Sequence, residues 1–497
     1  MQRKRTSHLE ALKSSTVIGG STAIVMIIRM IRTKVIAVLL GPSGVGLEAI
    51  FDSIVSLART VVDLGMHTSG VRQIAVAAAT GSQEPIARTA TVLRRACLIF
   101  GLIGALAVFL GRDSISQLAF GSTERAREIA ILSLILVFGA AAGGHGALLT
   151  GMRRITDLAR MEIWGTLLGA AASIPIVLVM GLEGVAVYMV VAAGAGVLVS
   201  WYYVRQVRLP VVTLTSRDVC REAAALLRLG FAFVTTSVMS VGALFLLRVL
   251  VTRTAGVEAA GQFQAASALS SVYVGFVLTA MGRDFFPRLS AVASDNARCN
   301  QTVNEQAEVS FLLALPGLLA TLALAPWVIR GFYSAEFSIA HEILAWQLVG
   351  MLLRLASWPL GFILMAKGRS FTFMATDALA WTVYVLFGWL GLRYFGLVGL
   401  GIAFLLLYAF YFALIYVVVR AITGFRFSPG NVRLLWLGIV GTGAALWVRL
   451  SLIEPWSTIV GSLLAVTIGL YCARQIVGFV GLERITHFVR SFLHMAR

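Results

Sequence analysis

The sequence predicts an all-α polytopic membrane protein of about 14 transmembrane helices, with two pseudo-symmetric six-helix lobes around a central cavity and two C-terminal helices added. Three observations predict it: a composition too apolar for water, a one-sided distribution of basic residues, and an internal duplication at an offset of 215 residues. The 497 residues are 59% hydrophobic and 13% charged, with a mean hydropathy of +0.88. A spanning helix takes roughly 20 apolar residues, so about 14 of them use on the order of 300 residues and leave connections of about a dozen each. No sizeable extramembrane domain fits. That disfavours soluble enzymes, tethered catalytic heads and disulfide scaffolds.

In chain order, hydropathy and Gly/Pro punctuation place the helices. The first, 14–40, follows Arg3, Lys4, Arg5 and Lys13; it is too long for a signal-peptide core and lacks a small-x-small cleavage site, so it stays as a span. The second, 45–79, is long enough to extend past the bilayer on the cytoplasmic side. Helices at 90–111, 128–151, 158–180 and 184–205 complete the first lobe, residues 1–210. The second lobe, 215–424, holds 226–253, 258–283, 309–330, 341–366, 371–393 and 397–420. Helices 432–450 and 457–479 lie in the remaining segment, 425–497, which ends in a cytoplasmic tail. Their role is packing, lipid contact or a side groove for a lipid tail.

The formal charge of +18 raises nucleic-acid binding only until the basic residues are placed. With a cytoplasmic N-terminus, the outer connections hold Arg112, Arg125, Arg127, Arg253, Arg330, Arg393 and Arg449, and the inner ones hold far more. That bias of about four to one, loop after loop, fixes helix parity and puts both termini in the cytoplasm. Cys97, Cys220, Cys299 and Cys472 are far apart with no Cys-x-x-Cys pair, so free thiols and no metal are expected.

The offset of 215 pairs Gly41 with Gly256, Gly46 with Gly261, Arg154 with Arg369, Glu162 with Asp377 and Arg205 with Arg420. Each half holds an even number of helices, so the halves enter the membrane in the same sense, as in transporters whose site lies between parallel repeats.

Six basic residues fall inside predicted spans: Arg29, Arg32, Lys34, Arg59, Arg248 and Arg354. A charge at the bilayer centre costs about 2.5–3.5 kcal/mol on insertion scales, so clustered charges face water or one another. Glu48, Asp52, Ser56, Arg59 and Asp63 share one face of the second helix. Arg29 and Arg32 lie one turn apart, with Ser15 and Thr22 continuing the Arg29 side; Arg248 takes the repeat position of Thr33, with Ser237 and Ser240 on nearly the same face; Arg354 has Gln347 and Trp358 nearby. Lys34 is expected to snorkel to a headgroup. Arg59 has Asp52 and Asp63 on its own helix, whereas Arg29, Arg32, Arg248 and Arg354 have no carboxylate one turn away there. Such cations either pair elsewhere as structural links or bind an anionic ligand, and the ligand is favoured. Guanidinium suits a phosphorylated anion because its planar fork binds two oxygens and stays charged when desolvated. Asp52, Asp63, Glu162 and Asp377 bind a coupling proton or sodium ion or pair with cavity arginines; pairing is favoured.

Enzyme chemistry on sugars wants an acid pair, and the outer connections 112–127 and 331–340 offer none that convinces. The histidines lack metal spacing, with His67 and His145 read as polar groups facing a cavity or helix. No nucleotide loop is present, and Gly143-Gly144 and Gly194-Ala195-Gly196 read as helix-packing positions. No enzyme activity and no cofactor are expected.

The Lys13-Ser14-Ser15-Thr16 start of the first helix, the turn Leu39-Leu40-Gly41-Pro42-Ser43-Gly44-Val45-Gly46-Leu47 and the following Asp63-Leu64-Gly65 resemble the polysaccharide transporters of the multidrug/oligosaccharidyl-lipid/polysaccharide flippase superfamily, most of all the Wzx-type O-antigen and lipid III flippases. The resemblance runs from residue 1 to about 424. It implies a flippase of the bacterial inner membrane that moves an undecaprenyl-pyrophosphate-linked oligosaccharide, such as an O-antigen, lipid III or exopolysaccharide repeat unit, to the periplasmic leaflet by alternating access. It also implies that Arg29, Arg32, Arg59 and Arg248 engage the pyrophosphate. Polymerase and glycan-assembly proteins are implied partners; nucleic acid is not. Fourteen spans depart from the 12 of many Wzx proteins and equal the number in lipid II flippases. The alternatives are therefore a lipid II flippase or a cation-coupled multidrug exporter of the same superfamily.

Overall fold

A computed structural model describes residues 2–480 except 211, 213 and 214. The tail beyond 480 and the side chains of Arg3, Lys4, Arg5, Lys13, Ser15 and Cys220 lie outside what is described. Among the described residues the regular structure is helix, with no strand. The chain divides into two compact units, residues 1–261 with 332–336, and residues 262–331 with 337–497.

Unit 1 holds α1 (Gln2–Asp63), α2 (Met66–Ala79), α3 (Gln83–Leu110), α4 (Arg112–Phe120), α5 (Ala126–Leu132), α6 (Leu134–Gly151), α7 (Ile155–Met180), α8 (Gly184–Arg205) and the first part of α9 (Ser216–Ala291). Unit 2 holds the rest of α9, then α10 (Asn296–Ala323), α11 (Ala325–Phe332), α12 (Ala340–Ala366), α13 (Ser370–Phe395), α14 (Val398–Thr423), α15 (Pro429–Ser451) and α16 (Trp456–Val480); Phe332 itself falls with unit 1.

The two longest helices are each broken once. In α1 the break is Gly41, at φ 63 and ψ −163; in α9 it is Gly256, at φ 88 and ψ 172. Only glycine takes these angles without a Cβ clash, and Pro42 then starts the second piece of α1 where its missing N–H costs nothing. The first and last residues of α7, Ile155 and Met180, are matched 215 positions later by those of α13, Ser370 and Phe395. Gly181 and Gly396 follow these helices at φ 58 and φ 60.

Several boundaries differ from the hydropathy reading. The segment 45–79 breaks at Leu64 and Gly65, both at positive φ, so it is the end of α1 plus α2. The segment 128–151 divides at Ser133. In place of 309–330 stand α10 and α11, because Asp295 caps α10 by accepting from the Ala297 and Arg298 N–H groups at 2.9 and 3.2 Å. The polar first turns of α10, which hydropathy cannot see, thereby become helix.

Ten helical stretches among the described residues are long and apolar enough to cross a membrane. Ile155–Arg205 and Ser237–Gly275 each count once among the ten, although the chain breaks at Gly181 and Gly256. The two pieces of α1 are not among them; they carry Arg29, Arg32 and Lys34, and Glu48, Asp52, Arg59 and Asp63. Many large apolar side chains point outward, Leu102, Leu106, Leu198 and Leu463 among them; water would penalise such a surface, lipid does not. Arg112, Arg330 and Arg393 lie over the rings of Phe109, Trp327 and Trp389 at 4.9, 6.0 and 5.8 Å, as amphipathic anchors at a membrane interface do.

Within lipid, helices associate through close packing rather than the hydrophobic effect. In unit 2, a Cβ on Gly391 of α13 would lie 2.4 Å from the Gly399 carbonyl oxygen of α14, so glycine alone permits that approach. Asn304 of α10 ties in the start of α15, accepting from Ser428 N at 2.8 Å and from Asn431 Nδ2 at 2.9 Å.

Candidate functional site

The break at Gly41 lets the two pieces of α1 exchange side chains. Arg32 on the first reaches Glu48 on the second, Nη2 to Oε1 at 2.5 Å, with both side chains largely covered. The Arg32 guanidinium also lies 5.9 Å from the ring centre of Tyr188 in α8, a wholly buried residue. Arg32 therefore has a carboxylate partner, but one contributed from beyond a helix break, where same-helix spacing does not look.

Arg29, Arg32 and Arg59 line a cavity of about 520 Å³ within unit 1, with His67 and Glu162 and the hydroxyls of Thr150, Thr166 and Ser200. A neighbouring cavity of about 400 Å³ shares Arg59, His67, Gly139 and Gly143 and adds Asp63, Thr60 and Thr68. Neither Arg29 nor Arg59 forms an ion pair among the described residues. Glu162 of α7 acts on Arg29 electrostatically without closing to a salt bridge. The Arg59 guanidinium packs against Gly139 of α6, where a Cβ would sit 3.6 Å from its Cζ. Among the described residues, the chamber wall thus carries three guanidinium groups, one of them compensated by Glu48, and a single carboxylate, Glu162.

The other expected residues go elsewhere. Arg248 of α9 donates to the Ala49 carbonyl at 3.3 Å and to Ser53 Oγ, gripping the second piece of α1. Asp52 is exposed on that piece and contributes to the field at Arg32. Arg354 and Asp377 lie in unit 2. There Arg354 stacks over Tyr408 at 5.7 Å, and Asp377 accepts from Trp381 Nε1 at 3.3 Å. Lys34, expected to snorkel, instead donates to the Tyr333 carbonyl.

Sequence reasoning missed Tyr188 and the cavity hydroxyls; Gly143 and Gly196, read as packing positions, also line the chamber, and Gly196 lies close to Gly165 of α7 as well. The signal was present: small residues crowd 139–146 and 192–196, and that density marks open space as readily as close approach. His67 faces the chamber, and His145 Nδ1 meets Ser200 Oγ at 2.8 Å. Cys97, Cys299 and Cys472 are free and buried. No group of three metal-ligating side chains occurs among the described residues.

Residues 35–341 match the family described as polysaccharide biosynthesis protein. The chain belongs to that family. Among curated relatives of this member, the lipid III flippase of Escherichia coli (strain K12) is 23% identical over 408 residues, covering 81% of this chain and 96% of the relative. The lipid III flippase of Shigella flexneri matches to the same extent. Among solved structures, the lipid II flippase MurJ in an inward closed conformation superposes with a TM-score of 0.73 at 14% identity, covering 93% of this chain and 99% of that one. An inward-facing multidrug resistance MATE family transporter of the MOP superfamily gives 0.66 at 14% identity, covering 80% and 94%. The fold of this family member is thus the MurJ and MATE transporter fold.

Proposed function

We propose that this chain is a flippase that moves an undecaprenyl-pyrophosphate-linked oligosaccharide from the cytoplasmic to the periplasmic leaflet of the bacterial inner membrane by alternating access. The observation that carries the proposal is the unit 1 chamber, where Arg29 and Arg59 face open space without an ion pair among the described residues and Arg32 is held beside them. A cation in that setting gains most from an anion with several oxygens. A diphosphate bridging Arg29 and Arg59 receives charge-assisted hydrogen bonds worth about 1.5–3 kcal/mol each. Glu162 then acts as the resident counter-charge of Arg29, giving it up when the headgroup arrives. Arg248 keeps the second piece of α1 in place so that Arg59 is correctly presented.

The glycan repeat fills the wet side of the chamber while the polyprenyl tail stays in lipid. No bond is made or broken. A potential negative inside favours outward passage of the anion by about 2.3 kcal/mol per charge per 100 mV. The relatives named lipid III flippases support a glycan carried on this anchor, and the lobes 1–210 and 215–424, the segment 425–497 and cytoplasmic termini belong to the same proposal. Glycan polymerase and assembly proteins are its partners.

The test is uptake of labelled undecaprenyl-pyrophosphate sugar into vesicles carrying the purified protein. Transport that requires the pyrophosphate and falls at least tenfold in Arg59→Met supports the proposal. Equal transport of lipid II in the same vesicles would assign the lipid II alternative, and export of organic cations without glycan transport would assign the multidrug one.

A further inference from the structure

The duplication carries information beyond the fold when the chamber of unit 1 is compared, position by position, with unit 2. Moving 215 residues along the chain takes Gly143 to Trp358, Thr166 to Trp381, Gly169 to Tyr384, Ala193 to Tyr408 and Gly196 to Tyr411. All five positions line the chamber in unit 1, and all five are large aromatics in unit 2. Four of the rings form one chain, with Trp381 and Tyr384 6.1 Å apart, Tyr408 and Tyr411 6.5 Å, and Phe404 bridging Tyr384 at 6.0 Å and Tyr408 at 4.9 Å; Trp358 packs instead with Phe285 and Phe362 at 6.0 and 4.6 Å. Each such side chain fills the space of several small ones. Tyr384 is buried and the other four aromatics are half-buried, and two neighbouring positions are closed off in unit 2. Ser357, counterpart of the chamber residue Ala142, is 1% exposed, and Thr376, counterpart of Met161, is 6% exposed.

The cation is exchanged as well. In unit 1 the guanidinium comes from Arg59 and packs against Gly139. In unit 2 the counterpart of Arg59 is the wholly buried Val274, and the counterpart of Gly139 is Arg354. Each unit thus carries one arginine on this pair of positions, delivered from opposite members. In unit 1 it borders open space; in unit 2 it is stacked on Tyr408. The acid position persists as Glu162 and Asp377.

We infer that the duplicated site is divided: unit 1 keeps the open anion chamber, and its counterpart in unit 2 is an aromatic-filled cluster that takes no headgroup. Arg354 and Asp377 hold that cluster together rather than touching the substrate. The inference rests on the flippase proposal for the nature of the ligand, but the division itself does not depend on it.

The experiment introduces single cysteines at matched positions into a protein whose four native cysteines are replaced by alanine. The pairs are Ala142→Cys with Ser357→Cys and Met161→Cys with Thr376→Cys. The unit 2 changes are nearly isosteric, which preserves the fold. A charged, water-soluble thiol reagent should label the unit 1 variants at least tenfold faster, and inorganic pyrophosphate should slow that labelling. Comparable rates within both pairs would overturn the division. Fast labelling in unit 1 that pyrophosphate leaves unchanged upholds the division and removes the pyrophosphate assignment instead. A second set transplants the plug. A Cβ at Gly143 or Gly196 meets nothing within 4 Å, so Gly143→Trp and Gly196→Tyr should keep their thermal stability and bind pyrophosphate more than tenfold more weakly, while Arg354→Met changes binding less than twofold. Equal losses in the two units would overturn the inference.

Discussion

The pair Arg32 and Glu48 offers the most direct energetic check on how α1 is built. Glu48→Gln removes the negative partner from a guanidinium that is 25% exposed, across a 2.5 Å contact in which the glutamate is 15% exposed. Removing one member of a fully buried pair costs about 3–5 kcal/mol, and an exposed pair is worth about 0–1 kcal/mol. The partial exposure here places Glu48→Gln at about 2 kcal/mol. The cost comes chiefly from leaving Arg32 covered and unmatched, so Arg32→Met made on its own should cost less, and adding it to Glu48→Gln should recover most of the loss. Unfolding of the purified protein in detergent, followed by intrinsic fluorescence for the four members of the cycle, measures the coupling. A coupling of at least 1 kcal/mol is expected for a contact of this kind. Strictly additive effects would refute the pairing across the Gly41 break.

Three further outcomes follow from other contacts. Gly391→Ala sets a Cβ 2.4 Å from the Gly399 carbonyl oxygen and should cost about 1–3 kcal/mol by forcing α13 and α14 apart, whereas Gly196→Ala should leave the unfolding temperature unchanged. Asn304→Leu orphans the Ser428 N–H and takes the amide donor from the Arg426 carbonyl, while Asn431 Nδ2 keeps the Asn304 backbone carbonyl; the loss should be about 2 kcal/mol, read as a lower unfolding temperature. In the loop between α15 and α16, burial pushes the Glu454 carboxyl up, but hydrogen bonds from Arg449 and Thr458 outweigh it and hold the group below the usual carboxylate range. Its stabilising contribution is therefore full above that range and fades as pH falls through the depressed value, so the gap in unfolding temperature between wild type and Glu454→Gln should narrow on acidification.

Much of the architecture was legible in the sequence because lipid constrains it so strongly. Hydropathy located helices such as 158–180 and 184–205 to within a few residues of α7 and α8, and Gly41 and Gly256, matched by the duplication, are where the two longest helices break at similar backbone angles. Capping and strain were less visible: Asp295 extends α10 into a polar stretch, and Leu64 interrupts what hydropathy reads as one span. At the site, the intramembrane arginines were found by their cost in lipid, and three of them meet at one chamber. Their partners were not found, since Glu48 reaches Arg32 across a helix break and Arg248 is satisfied by a backbone carbonyl and Ser53. Periodicity along one helix carries no record of either contact. Nor does a run of glycine and alanine declare whether it admits a neighbouring helix or leaves a hole.

Direct binding decides whether the chamber arginines take a pyrophosphate. Geranyl pyrophosphate, titrated calorimetrically into the purified protein, should bind the wild type and lose roughly ten- to a hundredfold in affinity with each of Arg29→Met and Arg59→Met, as the removal of one charge-assisted contact of about 1.5–3 kcal/mol requires. Unchanged affinity in the folded double variant would contradict it.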